Sequence, residues 1–287
     1  MTNGFIGAED YLKFDPPRAD EVGARVPLTG SLRQALDRHL PDLAAKVGYG
    51  IALAFRGRMV VEVGKKVVVK YGEDVDIAEA ESIQHVSRRT SIPLPHIIGT
   101  HKGQGVTFLI MSFVQGEPLD EVWDTLKKEA KRSISEELRR YFDQLRLLPG
   151  TYIGRIGSRP CWDPLFFGRD ACGPFATEAE LNSVICAMFH KIHPTVLSRT
   201  LPRMLKEGHR ILFCHADFHP RNVIVKDERV CAIIDWEMAG YYPEHWEFEK
   251  AMFGIDWSSD WCLHLQDILK PYLDEYAVSR IYRRVLW

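Results

Sequence analysis

The segment ILFCHADFHPRNVIVKDERVCAIIDWE, residues 211–237, is the part of the chain that most clearly indicates its fold. The apolar run at 211–214 predicts a buried strand that leads into a polar loop. Two β-rich runs follow, VIV at 223–225 and VCAII at 230–234, and the polar KDER between them is typical of a hairpin. The loop before this hairpin carries the polar side chains His215, Asp217, His219, Arg221 and Asn222.

A hairpin that turns near Glu228 and Arg229 places its two ends side by side. Those ends are Asn222 and Asp235, which offer an amide oxygen and a carboxylate. Mg²⁺ prefers such hard oxygen ligands and usually completes its shell with water and substrate phosphate oxygens. The sequence therefore predicts a magnesium site with few protein ligands, and Asp217 on the same loop remains available to a substrate hydroxyl.

Together, HADFHPRN and IIDWE resemble the catalytic loop and the metal-binding aspartate of the kinase fold. The spacing from Asp217 to Asn222 is that of the protein-kinase motif H-R-D-x-x-x-x-N. Trp and Glu follow Asp235 where protein kinases have Phe and Gly, and AGYYPEHWEF stands where an A-P-E motif would be expected. This version is similar to the aminoglycoside phosphotransferase family, particularly its fungal relatives.

The resemblance implies an α+β, bilobal protein-kinase-like fold with a small β-rich N-lobe and a larger helical C-lobe. It implies a kinase that transfers the γ-phosphate of ATP or GTP to a hydroxyl of a small metabolite, with Mg²⁺ as cofactor. By the same match, Asp217 orients the acceptor hydroxyl and accepts its proton, while Asn222 and Asp235 hold the metal. His215 matches the structural histidine that supports the loop.

The first part of the chain reads as strands and one helix, followed by a polar break. Apolar runs at 51–55, 59–63 and 66–70 predict strands, and TFLIMSF at 107–113 predicts a buried one. A helix is predicted over about 77–89. The break QGEP after Val114 predicts a lobe boundary, with an N-terminal lobe over 1–114 and a C-terminal lobe over 115–287.

The resemblance requires a strand lysine and a helix glutamate in the N-terminal lobe. Lys70 fits the lysine, although a strand-end lysine is often only a solvated edge charge. Glu79 and Glu81 both lie on the predicted helix. At 100° per residue, Glu79 shares a face with the apolar Ile83 and Val86, so we expect Glu79 to face inward and Glu81 to face water.

The stretch LIMSFVQG, residues 109–116, resembles the family's hinge, where backbone groups meet the adenine edge. By that match, the Ser112 carbonyl and the Val114 amide bind the base, with Met111 beside the pocket. The sequence contains no G-x-G-x-x-G motif. The glycines that fall where a phosphate-covering loop belongs are Gly48, Gly50 and Gly57, so the choice between ATP and GTP stays open.

The second part of the chain is rich in helical patterns. Capping-box spacing at Ser133 and at Thr177 predicts the starts of two amphipathic helices. Their apolar positions are Leu138, Phe142 and Leu145 in the first helix, and Leu181, Ile185, Met188 and Ile192 in the second. Four acids that could receive a cationic acceptor are interpreted mostly as solvated surface charge: Glu237, Glu244, Glu247 and Glu249.

Composition excludes several functional classes. A net charge of −2 over 287 residues provides no general field for nucleic acid or an anionic membrane. The six cysteines form no C-x-x-C pair, which is typical of reduced thiols. The N-terminus lacks a signal-peptide pattern and no long apolar run occurs, so we expect a cytoplasmic protein with a nucleotide and a small-molecule acceptor as partners. The oligomeric state stays open.

Two alternatives to the kinase interpretation remain at this point. His215-x-Asp217-x-His219 is a possible transition-metal cluster of a hydrolase, because imidazole suits zinc or iron. A catalytically silent nucleotide-binding protein that keeps the fold is the other alternative.

Overall fold

A computed structural model describes residues 24–27, 36–38, 49–55, 58–63, 66–103, 105–168, 172–253 and 259–286. The chain separates into two compact units, with the unit boundary inside a helix. The first unit comprises Met1–Ala80 and Pro95–Val114, and the second comprises Glu81–Leu94 and Gln115–Trp287. The α+β class, with a small strand-rich unit and a larger helical one, confirms the fold predicted from the sequence.

The first unit is built on one antiparallel sheet of six strands in the order β1-β2-β3-β4-β6-β5. A helix, α1, follows β4 along the chain. The predicted strands and helix of this region are therefore present. Their bounds are β1 Ala24–Pro27, β2 Tyr49–Phe55, β3 Arg58–Val63, β4 Val67–Gly72, α1 Ala78–Ser87, β5 Ile97–Gly103 and β6 Val106–Ser112.

The central strands of this sheet are apolar because side chains on both of their faces are buried. Lys70 on β4 lies opposite Val60 on β3 and Leu109 on β6, so its backbone is paired on both sides. Val69 and Lys70 point to opposite faces because side chains alternate along a strand, and both are buried. On the Val69 face, apolar side chains form a core: Leu36, Val61, Val63, Val67, Val69, Phe108 and Ile110.

Of the three glycines considered for a phosphate-covering loop, Gly50 lies in β2. Gly48 and Gly57 lie outside the described residues. The prediction about this loop therefore stays a prediction.

The longer segment of the second unit begins at Gln115, in the polar break that follows Val114. Gly116 has φ +144°, and a Cβ there would lie 2.5 Å from the Val225 carbonyl oxygen. Only glycine allows this close approach, which delivers the chain into β7, Glu117–Pro118. Strand β7 pairs with β9 in a small sheet of order β10-β9-β7, and a separate pair joins β11 to β8. Their bounds are β8 Ile211–Cys214, β9 Val223–Lys226, β10 Arg229–Ile233 and β11 Gly240–Pro243.

The hairpin predicted in the 211–237 segment is confirmed. Strands β9 and β10 pair antiparallel from the Arg229–Lys226 pair at the turn to the Ile233–Val223 pair at the open end. The turn residues are Asp227 and Glu228, with φ +51° and +58°. Two consecutive left-handed residues make a type I′ turn, whose twist matches that of the strands. The turn therefore falls one residue before the position predicted for it.

Glycine at the second turn position is expected to stabilise the protein. A residue with a Cβ is disfavoured in the left-handed region by about 1 kcal/mol or more, and type I′ turns favour glycine there. Since Glu228 is exposed at φ +58°, Glu228→Gly should raise the free energy of unfolding by about 0.5–1 kcal/mol. Thermal or denaturant unfolding measures this change. Glu228→Ala is the matched control, since it removes the same side chain but keeps the Cβ. Equal stabilities of the two variants would contradict the argument.

The second unit contains the helices of the larger lobe. Thr177 caps its helix as predicted, since its side chain accepts a hydrogen bond from the Glu180 amide. Leu181 and Ile185 are buried as predicted, but Phe189 continues the buried stripe while Ile192 is half exposed. The helix bounds are α2 Leu119–Val122, α3 Lys128–Leu145, α4 Glu178–Ile192, α5 Val196–Met204, α6 Trp246–Phe253, α7 Trp261–Ile268 and α8 Leu273–Leu286.

The predicted capping box at Ser133 is wrong, because α3 begins at Lys128 and Ser133 lies inside it. Ala130, Ile134 and Leu138 are all buried at a spacing of four residues. This apolar stripe extends the helix upstream of Ser133, so packing outweighs the local capping signal. Leu138, Phe142 and Leu145 are buried as predicted.

Trp246 and Tyr242 stack at 5.2 Å within the core of the second unit. Among the described residues, none of the helices combines the length and the apolar character that crossing a bilayer requires.

Candidate functional site

The loop between β8 and β9 is organised around a fully buried histidine, His215. Its Nδ1 accepts a hydrogen bond from the Asp217 amide at 3.2 Å, so Nδ1 carries no proton. Nε2 must then carry the proton, which it donates to the Ile234 carbonyl oxygen at 2.9 Å. Burial lowers the pKa of His215, in agreement with a neutral ring. The histidine therefore joins the loop to the end of the hairpin.

Glu247, near the start of α6, holds the same loop from its other side. Its carboxylate accepts hydrogen bonds from the amides of His215, at 2.6 Å, and Ala216, at 3.1 Å. Ala216 has φ +61°, a conformation that a residue with a Cβ adopts only when its surroundings impose it. Burial raises the pKa of Glu247 to about 7, although the two amides favour the ionised form.

Asp217 and Asn222 are in direct contact. The Asn222 amide nitrogen donates to the Asp217 backbone carbonyl at 2.8 Å and to Asp217 Oδ2 at 3.0 Å. Both partners are acceptors, so the nitrogen of the side chain faces Asp217 and the Oδ1 oxygen faces away from it. The Arg221 guanidinium lies 3.3 and 3.4 Å from the two carboxylate oxygens of Asp217.

Asp235 follows β10 at the open end of the hairpin, the end at which Asn222 precedes β9. The Ile234 amide donates to the Asn222 carbonyl at 2.9 Å, so the residue before Asp235 lies opposite Asn222. Asp235 itself has φ +62° and ψ +63°, which turns the chain sharply out of β10. The next residue, Trp236, is buried with its ring 4.5 Å from that of His215. The two predicted metal ligands therefore stand at adjoining ends of one hairpin.

In the first unit, Lys70 and Glu79 form an ion pair with 2.8 Å between Nζ and Oε2. Both residues are less than 10% exposed, so the choice of Glu79 by helical geometry is confirmed. The expectation that Glu81 faces water is confirmed only in part, since its side chain is 34% exposed. Glu81 belongs to the second unit and accepts a hydrogen bond from Arg159 Nη2 at 3.0 Å, because the region that the sequence left without a predicted fold supplies this arginine.

The predicted hinge residues lie at the end of β6 and directly after it. Met111 is buried, and Ser112 is fixed by two contacts with His96. The Ser112 amide donates to the His96 carbonyl at 2.9 Å, and the His96 amide donates to Ser112 Oγ at 2.8 Å. Val114 is the last residue of the first unit. Their role in binding a base stays a prediction.

The interpretation of four acidic residues as solvated surface is wrong for three of them. Glu247 and Glu249 are buried, and Glu244 accepts hydrogen bonds from Arg146 and Arg210. The burial of Glu247 and Glu249 and the pairing of Glu244 both depend on residues far away in the sequence. No local pattern around 244–249 indicates them. Glu247 is consequently a loop-supporting residue that sequence reasoning missed.

The buried carboxyl of Glu247 predicts a measurable pH dependence. Because its pKa is about 7 in the folded state and near 4.5 when exposed, the folded protein binds a proton that the unfolded chain lacks. This contribution to stability is present at low pH and is lost as the pH rises through about 7. Relative to Glu247→Gln, wild type should therefore lose up to about 3 kcal/mol of unfolding free energy between pH ~5 and ~8.

The matched control for this experiment is Glu244→Gln. Despite the opposing effect of burial, hydrogen bonds from Arg210 help to lower the pKa of Glu244 to about 2. Its titration therefore lies below the pH range of the experiment, and this variant should follow wild type in parallel. Denaturant unfolding at several pH values provides the comparison. Parallel curves for wild type and Glu247→Gln would contradict the raised pKa.

Comparison with known proteins places this loop and hairpin in a family. The sequence model of the phosphotransferase enzyme family matches residues 73–285. The comparison with curated proteins finds no match.

Several solved structures share the fold. A thermostable mutant of aminoglycoside phosphotransferase APH(4)-Ia, in ternary complex with ADP and hygromycin B, is 16% identical, covers 89% of this chain and 91% of its own, and has a TM-score of 0.57. The streptomycin–ATP complex of APH(2″)-IIa is 13% identical, with 90% and 89% covered and a TM-score of 0.59. Aminoglycoside-3′-phosphotransferase of type VIII is 14% identical, with 87% and 98% covered and a TM-score of 0.55.

At these identities the structural likeness shows the kinase-like fold alone, while the family match extends from the end of β4 through most of α8. The chain therefore belongs to the phosphotransferase enzyme family and is a phosphotransferase of the kinase-like fold.

Proposed function

We propose that this protein transfers the γ-phosphoryl group of a nucleoside triphosphate to a hydroxyl group of a small metabolite. The observation that carries the proposal is the arrangement at the hairpin. The Asn222 side-chain nitrogen lies 3.0 Å from Asp217 Oδ2, and the Asn222 carbonyl accepts a hydrogen bond from the amide of Ile234, the residue that precedes Asp235. The proposed proton acceptor and the two proposed oxygen ligands thus belong to one loop and to the hairpin that follows it.

The donor set at the hairpin fits Mg²⁺. The Asn222 amide nitrogen is occupied by Asp217, which leaves the Oδ1 oxygen as the atom that this side chain offers to a metal. With the Asp235 carboxylate it forms a pair of hard oxygen ligands. Mg²⁺ held there would neutralise negative charge on the nucleotide phosphates.

Asp217 would act directly on the acceptor. Its carboxylate would orient the acceptor hydroxyl and take its proton as the new O–P bond forms and the bond to the nucleoside diphosphate breaks. His215 and Glu247 would act as positioning residues, since they hold the backbone at Asp217 and immediately before it through the contacts described above. Preorganised positioning is the main requirement of phosphoryl transfer.

The first unit would supply the remaining nucleotide contacts. Lys70, held by Glu79 at 2.8 Å, would bind phosphate oxygens, and Met111, Ser112 and Val114 would contact the base. Similar structures contain ADP or ATP, which favours ATP over GTP as the co-substrate of this chain.

The acceptor is proposed to be a hydroxylated metabolite rather than a polycationic aminoglycoside. A polycation needs available carboxylates, and three of the four acids considered for a cationic acceptor are used within the described part of the protein, since Glu247 and Glu249 are buried and Glu244 is paired with arginine. The names of the similar proteins do not transmit specificity, because one fold serves many substrates.

The two other interpretations have less support. Both ring nitrogens of His215 are used in hydrogen bonds within the protein, so His215 has no nitrogen left for a hydrolase metal. The silent-protein interpretation is opposed by the presence of Lys70, Asp217, Asn222 and Asp235 in one chain.

Two measurements test the proposed function. The first is a thermal-shift measurement of the binding of ATP and of GTP, each with and without Mg²⁺. The second is release of ADP or GDP on addition of each member of a panel of hydroxylated metabolites, with aminoglycosides included. Mg-dependent binding together with acceptor-stimulated release supports the proposal. Binding without any acceptor-stimulated release would favour the silent protein, and no Mg-dependent binding would overturn both.

A further inference from the structure

A second cluster of chemically active side chains lies in the second unit, apart from the loop and hairpin of the proposed active site. It consists of Glu178, the first residue of α4, with His209 from the loop before β8 and His245 immediately before α6. His209 Nδ1 lies 2.8 Å from Glu178 Oε1, and His245 Nε2 lies 3.1 Å from the same oxygen. One ligand atom from each residue falls within 4.8 Å of the other two.

This donor set is the one that zinc-like ions select. Two imidazole nitrogens and one carboxylate oxygen bind Zn²⁺ at about 2.0–2.2 Å, usually in a tetrahedral arrangement with a fourth position left for water. Tetrahedral ligands at that distance are about 3.3 Å from one another. The two separations from Glu178 Oε1, 2.8 and 3.1 Å, are each within about 0.5 Å of that value, and all three ligand atoms lie within 4.8 Å of one another.

The outer partners of the cluster also fit a metal site. Metal-binding histidines usually direct their second ring nitrogen at a carboxylate or a carbonyl group. His245 Nδ1 lies 2.6 Å from Glu249 Oε1, and His209 Nε2 lies 3.7 Å from Glu275 Oε1. The other carboxylate oxygen, Glu178 Oε2, accepts a hydrogen bond from the His209 amide at 2.9 Å, and this bond orients the carboxylate.

The surroundings of the cluster combine burial, negative charge and space. Glu178, His245 and Glu249 are each less than 10% exposed. A cavity of about 40 Å³ is lined by His209, His245, Glu249 and Glu275 among others, and it is large enough for the water of an open coordination position.

A proton is the competing occupant of this site. The carboxylates of Glu178 and Glu249 lie 3.1 and 2.6 Å from the two ring nitrogens of His245. The cluster therefore attracts positive charge, which either an additional proton on His245 or a divalent ion can supply. The convergence of two imidazoles on a single carboxylate oxygen is the feature that favours the ion.

We propose that Glu178, His209 and His245 bind one divalent transition-metal ion of the Zn²⁺ class, with a fourth position that opens to the cavity. The ion connects the start of α4 to the segments that precede β8 and α6, so it stabilises the second unit. None of the three residues belongs to the proposed phosphoryl-transfer site.

The full-length protein, freed of any affinity tag and stripped with a chelator, is titrated with Zn²⁺ by calorimetry. Saturating Mg²⁺ is present so that the oxygen ligands of the hairpin are occupied. One equivalent of Zn²⁺ should bind, and His209→Gln should weaken the binding by about 100-fold or more, since it removes a ligand. His209 is less buried than His245, which makes this variant the one best suited to fold. His193→Gln, at an exposed histidine of the same unit, is the matched control and should bind as wild type does.

Co²⁺ provides a readout that a merely structural hydrogen-bond network would not give. Wild type loaded with Co²⁺ should show visible absorption bands of a four-coordinate site, and these bands should disappear in His209→Gln and in Glu178→Gln. Circular dichroism checks that both variants fold. If wild type binds neither ion, the cluster is held by protons and the proposal is overturned. Equal binding by His209→Gln would place the ion elsewhere and would also overturn it. All measurements omit nucleotide and acceptor, so they do not depend on the proposed phosphoryl transfer.

Discussion

Asp217→Asn is expected to lower kcat by about 100- to 10,000-fold while affinity for Mg-nucleotide stays within about threefold of wild type. Asparagine has nearly the same shape and its oxygen can still accept the hydrogen bond from Asn222, so the loop should keep its geometry. It cannot take a proton from the acceptor, and that loss affects the chemical step alone. Turnover is measured with the acceptor that the panel identifies, or as slow nucleotide hydrolysis before one is known.

The matched control is Asp227→Asn, the same substitution at an exposed position in the turn of the hairpin. It should leave both kcat and nucleotide affinity unchanged. A turnover of Asp217→Asn within about threefold of wild type would remove Asp217 from the proposed role.

Asp235→Asn is expected to act on metal binding. The variant should need at least about 10-fold more Mg²⁺ for half-maximal nucleotide binding, and its kcat at ordinary Mg²⁺ should fall by about 100-fold or more. Asparagine is preferred to alanine for this test because Asp235 has φ +62°, and asparagine tolerates the left-handed region well. The effect then reports the lost carboxylate charge rather than a strained backbone.

Asp227→Asn serves again as the control, since Asp227 is also left-handed, at φ +51°, and lies at the opposite end of the same hairpin. Nucleotide binding titrated against Mg²⁺ by calorimetry gives the comparison. An unchanged Mg²⁺ requirement in Asp235→Asn would show that the metal ligands have been assigned wrongly. It would leave the Asp217 prediction standing, because that prediction concerns the proton and not the metal.

Much of the site could be predicted because its signals are local. The strand at 211–214, the hairpin and the adjoining of its ends all follow from apolar runs and turn chemistry over fewer than thirty residues. The choice of Glu79 over Glu81 was equally local, since a helix fixes which side chains share a face.

Local signals failed where packing against distant parts of the chain outweighed them. Ser133 and Glu136 have the spacing of a capping box, yet the buried stripe through Ala130 and Ile134 draws the helix start upstream. Glu81 was expected to face water and is only partly exposed, because its partner Arg159 comes from a segment 78 residues further along the chain.

The sequence by itself indicated the strands, the hairpin and the residues at its two ends through apolar runs and short spacings, and it indicated the fold class and the roles proposed for the site residues through the resemblance of its motifs to a known family. The tertiary structure alone decided what Glu247 does and that Glu178, His209 and His245 meet. Burial and convergence are properties of packing between elements that lie far apart along the chain. A glutamate in a helix gives no local sign of whether it will be solvated or will hold two backbone amides in the core.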